Sequence, residues 1–422
     1  MSKLVIEGGH RLCGSIPIQG AKNSCLPILA ATLLGGGKST IRNCPRLSDV
    51  DAAVEILRYL GCEISREDDI LTVDSSNAAG FMVPEELMQE MRSSIVFLGP
   101  ILARMGKAVL SAPGGCELGP RPIDLHLDAL RRLGAVIEEQ HGFLCCTAPQ
   151  GLKGAKISLS FPSVGATENI MLAAVLAKGR TVVHNAAEEP EIVDLADYLN
   201  SRGAKISGAG KSTIVINGVK KLHDIEHQVI PDRIVAATYL CAGLITGGEV
   251  QVDRVHTMDL ESVIPVLEQA GAKIQIGPNS LRMRMDGRPK RVRQIRTMPY
   301  PGFPTDAQAP VMAALSVADG TSVFVENIFE SRYKHAIELN RMGADIKMEG
   351  RVAVCTGVPR LMGAAVRAED LRGGAALVLA GLQAEGVTKV SQVHHIDRGY
   401  EEFEKNLNRL GAHVWREGSE TV

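Results

Sequence analysis

Two apolar patterns alternate along the chain, and each recurs six times. The first is a helix end of the form L-x-x-x-G-a-x-I/V. It appears at Leu57…Gly61…Ile64, Leu130…Gly134…Ile137, Leu199…Gly203…Ile206, Leu267…Gly271…Ile274, Leu339…Gly343…Ile346 and Leu407…Gly411…Val414. Each copy predicts a helix closed by a glycine and followed at once by a strand. The second pattern is a polar start, a helix rich in Ala, Leu and Val, a Gly and a short β-branched strand, at 23–35, 92–106, 167–179, 232–247, 306–320 and 372–386. These helices are apolar almost all round, as in Ile170-Met171-Leu172-Ala173-Ala174-Val175, so they are expected at the centre with sheets outside them.

The glycines of the first pattern lie about 70 residues apart, so one repeat reads β-α-β-α-β-β. The expected fold class is α/β: a two-domain inside-out α/β barrel with three βαβαββ repeats per domain. A break fits near Val229-Ile230-Pro231. Residues 21–229 would form the first domain, and 1–20 with 230–422 the second.

Composition narrows the function classes. At 422 residues, with 45% apolar and 22% charged residues, the chain reads as globular, and a formal charge of −2 gives no reason to expect nucleic acid or a membrane surface as partner. The basic run 288–296 alternates like a solvated edge strand. No segment offers about 18 uninterrupted apolar residues, and the early charges do not suit a secretory leader, so a cytoplasmic location is expected. Nine cysteines without C-x-x-C or zinc spacing point to free thiols. Two phosphate-loop look-alikes, at Gly37-Lys38-Ser39 and Gly210-Lys211-Ser212, lack the first glycine, which is Thr32 in one and Lys205 in the other.

The candidate chemistry sits at the helix starts. Lys22-Asn23, Arg92, Ser163-Val164-Gly165, Asp232-Arg233, Asp306 and Asp370-Leu371-Arg372 open helices of the second pattern. Arg121-Pro122-Ile123-Asp124, Arg332 and Asp397-Arg398 open helices of the first. A carboxylate there is equally well explained as a cap. A cation opposes the helix dipole and gains nothing unless an anion is present, so the set implies an anionic ligand between converging helix ends, with an interdomain cleft as the expected site. The stretch Pro113 to Pro122 holds three glycines and three prolines, must be a loop, and carries Cys116 five positions before Arg121. Read alone, that thiol is better explained as an ordinary loop cysteine.

Taken in order, these stretches resemble the UDP-N-acetylglucosamine 1-carboxyvinyltransferase family over essentially the whole chain. They include Gln19-Gly20-Ala21-Lys22-Asn23, Pro113-Gly114-Gly115-Cys116, Gly119 to His126, Ser163 to Thr167, Asn185 to Ile192, Pro231-Asp232-Arg233, Pro304-Thr305-Asp306, Ile328-Phe329-Glu330 with Arg332, Asp370 to Arg372 and His395 to Gly399. The resemblance implies transfer of enolpyruvate from phosphoenolpyruvate to the 3′-hydroxyl of UDP-N-acetylglucosamine, the first committed step of peptidoglycan synthesis, with no metal or organic cofactor. It implies that Lys22, Asn23, Arg121, Arg398 and Cys116 meet phosphoenolpyruvate. Cys116 would deliver a proton and be the target of the epoxide fosfomycin, and Asp306 would accept the sugar hydroxyl's proton. Asn23, Arg92, Arg121, Pro122, Ile123, Asp124, Leu125, Ser163, Val164, Gly165, Asp306 and Ile328 would bind the nucleotide sugar, supported by Asp232, Arg233, Arg332, Asp370 and Arg372. Phe161 stands where some members have a phosphate-binding lysine. Two rival readings are the sister enzyme that makes 5-enolpyruvylshikimate 3-phosphate and a non-catalytic UDP-sugar binder. The first lacks the Pro-Gly-Gly-Cys loop, and the second has no need of Lys22, Cys116, Asp306, Asp370 and Arg398 together.

Overall fold

A computed structural model describes residues 2–111 and 123–418. Six helices are buried on nearly every face: α1 (Lys22–Ala31), α2 (Leu98–Met105), α3 (Val164–Ala174), α4 (Arg233–Ile245), α5 (Thr305–Leu315) and α6 (Leu371–Gln383). Amphipathic helices such as Ser48–Tyr59 and Lys334–Arg341 alternate with them and bury one stripe only.

The repeated leucine and glycine have a shared structural cause. In all six copies the backbone N–H two residues before the Ile or Val donates to the carbonyl of the repeat leucine, as in Ala344 to Leu339 at 3.1 Å and Cys62 to Leu57 at 3.0 Å. Gly343 N–H donates to Asn340 at 3.0 Å, which completes the Schellman closure. That closure requires a left-handed residue; Gly343 sits at φ +92°, and a side chain there would be strained although the surrounding space is open.

Among the described residues the strands form six separate four-stranded sheets, each with one parallel and two antiparallel pairings. Lys156–Ser158, Arg180–His184, Thr213–Asn217 and Lys205–Ser207 are one such set in sheet order. No closed hydrogen-bonded barrel occurs among the described residues, so the expected barrel is sheets set around helices. Alternation along the strands turns every second residue inward, as at Thr181 and Val183.

Two compact units result. Residues 20–111 with 123–230 make one, and 2–19 with 231–418 the other. Strand exchange departs from a simple tandem repeat. Cys13–Pro17, which precedes α1, pairs with Glu249–Asp253 of the second unit, and Ile225–Gln228, which precedes α4, pairs with Lys38–Arg42 of the first. Lys3–Glu7 lies between Val387–Ser391 and His413–Glu417 in the last sheet.

The basic run is not all solvated edge. Arg288 donates to the carbonyls of Val317 at 2.5 Å and Ala318 at 2.8 Å, at the C-terminal end of α5 where a cation complements the helix dipole. Val292 and Ile295 of the same run are buried.

Candidate active site

In the first unit, α1 begins with Lys22, which is buried and donates to Asp49 Oδ2 at 3.0 Å; Asp49 itself is 1% exposed. A buried carboxylate thus offsets the cost of an ammonium at a helix N-terminus. Asn23, the next residue, is exposed. Ser24 donates its hydroxyl to buried Asp194, whose other oxygen lies 2.9 Å from His227 Nε2 and which also accepts the N–H of Ile230 at 3.3 Å. One carboxylate therefore fixes the start of α1 against the strand that ends the unit.

The Ser163-Val164-Gly165 turn, expected to meet the nucleotide sugar, lies beside another polar group. Asn169 accepts the N–H of Gly99 at 2.8 Å, which orients its amide, and the NH₂ group then donates to Ile95 O at 2.9 Å and faces His126 Nδ1 at 2.8 Å. His126 Nδ1 is thereby the acceptor in the neutral ring. A Cβ on Gly165 would meet the His126 ring at 3.1 Å, so the Ser163-Val164-Gly165 turn packs on the helix Asp124–Arg132 as closely as its backbone permits. Ser163 caps α3 by accepting Ala166 N–H at 3.3 Å. Asp124 is exposed, and Ile123 and Leu125 are half-buried. Arg92 opens a 3-10 stretch, Arg92–Phe97, that leads into α2; its side chain lies outside the described atoms. Cys116, Arg121 and Pro122 lie outside the described residues, as does the whole stretch 112–122.

One turn into α3, Glu168 is buried, and burial, then the neighbouring Glu191 and Glu189, push its carboxyl up to about 8. It therefore carries its proton at neutral pH, with no sign in the sequence beyond an acid in an otherwise apolar helix.

In the second unit the acids at helix starts divide into two kinds. Asp232 accepts the N–H groups of Ile234 and Val235 at 2.9 and 3.0 Å, and Asp370 those of Arg372 and Gly373 at 3.0 and 2.9 Å; both are caps. Asp306 is instead the second residue of α5, inside the helix rather than at its N-cap, which is Pro304. Its Oδ1 receives Arg332 Nη2 at 3.0 Å and its Oδ2 receives Arg372 Nε at 3.2 Å. Both arginine side chains are nearly inaccessible, at 3% and 2%, whereas Asp306 is 28% exposed. A half-open carboxylate is thus fixed at both oxygens by two buried cations. Burial works against the charge of Arg372, but Tyr400 beneath it and the carboxylates Asp306 and Asp232 outweigh that and hold the guanidinium charged.

These contacts revise the charge argument. Arg332 and Arg372 find their anion in Asp306, so a cation near a helix start does not by itself call for a ligand. Arg398 is also placed differently from expectation. It follows the short helix His394–Asp397 as its C-cap, where a cation suits the dipole, and the next helix begins only at Phe403. Gln19 holds this segment: its side chain donates to Gly399 O at 3.3 Å and accepts Glu401 N–H at 2.8 Å, while its carbonyl accepts Asp232 N–H at 2.9 Å. Arg233 lies over the Tyr300 ring at 5.5 Å.

Glu326 is a buried carboxylate that was not apparent from sequence. It is 1% exposed and accepts four hydrogen bonds: Thr297 Oγ1 at 2.9 Å, Ile328 N at 2.8 Å, Phe329 N at 3.1 Å and Thr305 Oγ1 at 3.0 Å. It fixes the loop bearing half-buried Ile328 to the first residue of α5, next to Asp306.

A profile of the EPSP synthase (3-phosphoshikimate 1-carboxyvinyltransferase) family matches residues 6–407. The chain is 54% identical to UDP-N-acetylglucosamine 1-carboxyvinyltransferase 2 of Caldanaerobacter subterraneus subsp. tengcongensis, over 99% of this chain and 100% of the relative. It is 51% identical to the protein of the same name from Carboxydothermus hydrogenoformans, over 99% of each. Among solved structures, the enolpyruvyl transferase NikO from Streptomyces tendae superposes with a TM-score of 0.88 at 26% identity, covering 98% of each chain. An EPSP synthase from Acinetobacter baumannii shares the fold at a TM-score of 0.74 and 20% identity, covering 99% of this chain and 100% of that one.

Proposed function

The chain belongs to the EPSP synthase family, and on that premise we propose that it transfers the enolpyruvyl group of phosphoenolpyruvate to the 3′-hydroxyl of UDP-N-acetylglucosamine, releasing phosphate, in peptidoglycan synthesis. The observation that carries this reading is the 54% identity, over its whole length, to an enzyme named for that reaction; the EPSP synthase structure shares only 20%. The 5-enolpyruvylshikimate 3-phosphate alternative is not favoured.

In the proposed mechanism the sugar hydroxyl oxygen adds to carbon 2 of phosphoenolpyruvate while a proton reaches the methylene carbon. The adduct then loses that carbon's proton and expels phosphate. Asp306 takes the hydroxyl proton: Arg332 and Arg372 hold its two oxygens, and its exposed part is available to a substrate. Lys22, Asn23, Arg121 and Arg398 gather the carboxylate and phosphate, and their positive field stabilises the charge that grows on the leaving phosphate. Cys116 delivers the proton to the methylene carbon. Asn23, Arg92, Arg121 to Leu125, Ser163 to Gly165 and Ile328 bind the nucleotide sugar. Asn169 and His126 set the Ser163 turn, and Glu326 sets Ile328. Asp232, Arg233 and Asp370 support the helix starts.

A phosphate-release assay with phosphoenolpyruvate and either UDP-N-acetylglucosamine or shikimate 3-phosphate tests the proposal. Release with the first acceptor alone is expected. Release only with the second reassigns the enzyme, and release with neither leaves a binder. The eight cysteines among the described residues are all free and no described helix is long and apolar enough to cross a membrane, which supports a cytoplasmic location.

A further inference from the structure

Far from the acids and arginines of α5 and α6, the end strands of the chain carry three metal-ligating side chains on one patch. Glu7 closes the strand Lys3–Glu7 and His413 opens the strand His413–Glu417, and the antiparallel register sets them directly opposite each other. Paired residues project to the same face of a sheet, and His413 Nδ1 lies 3.5 Å from Glu7 Oε2. His10 follows from the connection after the first strand, its ring stacked on His413 at 3.9 Å between centroids and 26° between planes. One donor atom from each residue lies within 4.8 Å of those of the other two.

The backbone holds this arrangement in advance. Gly8 and Gly9 donate to Gly386 O at 3.2 Å and Leu382 O at 2.9 Å, at the C-terminal end of α6. A Cβ on Gly8 would meet Ala384 O at 2.1 Å, so the approach to His10 is fixed by backbone contact alone. Two stacked imidazoles bear badly on each other when both are protonated, but two neutral rings beside a carboxylate make a His₂Glu ligand set. Around a tetrahedral zinc the donor atoms lie about 3.3 Å apart, given metal–ligand bonds of about 2.0 to 2.2 Å, so turning the side chains out of the ring stack and closing the donors by up to about 1.5 Å brings these three to bonding distance. Borderline divalent ions suit two imidazoles and a carboxylate, whereas calcium and magnesium prefer all-oxygen sites.

We propose that Glu7, His10 and His413 form a surface site for a borderline divalent transition-metal ion, zinc above all, that clips the first strand of the chain to the last. The site is not catalytic: α6 separates it from Asp370 by its thirteen residues, roughly 20 Å at 1.5 Å per residue. Its effect is on stability, because an ion that binds only the folded chain raises the unfolding midpoint by mass action.

Cobalt(II) titration of the tag-free full chain separates this site from the thiols. The expected result is one equivalent bound with a visible ligand-field band and no thiolate-to-cobalt charge-transfer band. His413→Ala and His10→Ala should each weaken binding at least tenfold, and Glu7→Gln less. Zinc at about a hundredfold over its dissociation constant should raise the Tm of the parent chain by a few degrees and leave that of His413→Ala unchanged. The metal-free variants should unfold at the parent temperature, which separates loss of the ligand from loss of the fold. Binding that shows the charge-transfer band and survives His413→Ala would overturn the proposal, as would no binding at millimolar metal.

Discussion

Truncation of Glu326 tests whether four hydrogen bonds to one buried carboxylate hold the loop that bears Ile328. Glu326→Ala removes the acceptor for Thr297 Oγ1, Thr305 Oγ1, Ile328 N and Phe329 N at once. A buried donor left without its partner costs about 1 kcal/mol or more, so four cost about 4 kcal/mol, unless water enters the cavity and satisfies some of them. For a folding unit of roughly 200 residues that corresponds to a fall in Tm of about 8 to 16 °C. Glu326→Gln is the informative control. Its carbonyl can take the place of Oε1 and keep three of the four bonds, and the Thr305 hydroxyl can turn to accept from the new amide. The amide variant should therefore lose only about 1 to 2 kcal/mol, the charge-assisted part. Scanning calorimetry of the three proteins measures the stabilities, and steady-state phosphate release measures the site: KM for UDP-N-acetylglucosamine should rise in Glu326→Ala, through Ile328, more than kcat falls. A Tm loss below 3 °C in Glu326→Ala, or equal losses in the two variants, would refute the reasoning.

Other predictions concern the chemistry and its surroundings. Asp306→Ala should lower kcat for phosphate release by about 10²- to 10⁴-fold, the usual contribution of a positioned base. It should also destabilise the chain by about 3 to 5 kcal/mol, because Arg332 and Arg372 are left buried without their shared anion. Cys116→Ser should abolish turnover yet keep UDP-N-acetylglucosamine affinity by calorimetry, and fosfomycin should add mass at Cys116 in the parent chain alone. Glu168 titrates near 8 when folded and near 4.5 when unfolded, so the stability from its retained proton is complete below about pH 4.5 and is lost as pH rises to about 8. Glu168→Gln should remove that loss, narrowing the difference in unfolding free energy between about pH 5 and pH 8.5 by up to about 4 kcal/mol; an unchanged difference counts against the assignment.

The fold was legible because its rules are local. A repeat leucine whose carbonyl accepts the N–H five residues on and a glycine in the left-handed region are both written within one turn of sequence, as at Leu339 and Gly343. Helices apolar all round announced their central position for the same reason. The site was legible only in part. Residue types at helix starts could be read, but their partners are set by packing between distant segments: Asp306 meets Arg372 across 66 residues and Ser24 meets Asp194 across 170. Without those partners, Asp306 looked no different from the caps Asp232 and Asp370. Glu326 sat outside every motif because its four donors come from three separate segments. Arg398 was misplaced because one helical turn, His394–Asp397, intervenes where a longer helix had been expected to begin.

The strand Lys3–Glu7 has a consequence for biosynthesis. It is made about 380 residues before one neighbour, Val387–Ser391, and about 400 before the other, His413–Glu417. At about 5 to 20 residues per second, the sequence Leu4-Val5-Ile6 waits on the order of 20 to 80 seconds with both edges unpaired. The described strands of 20–111 and 123–230 have all their sheet partners among themselves and can close meanwhile, so translation delivers a finished unit tethered to an apolar strand that segments made much later must cover.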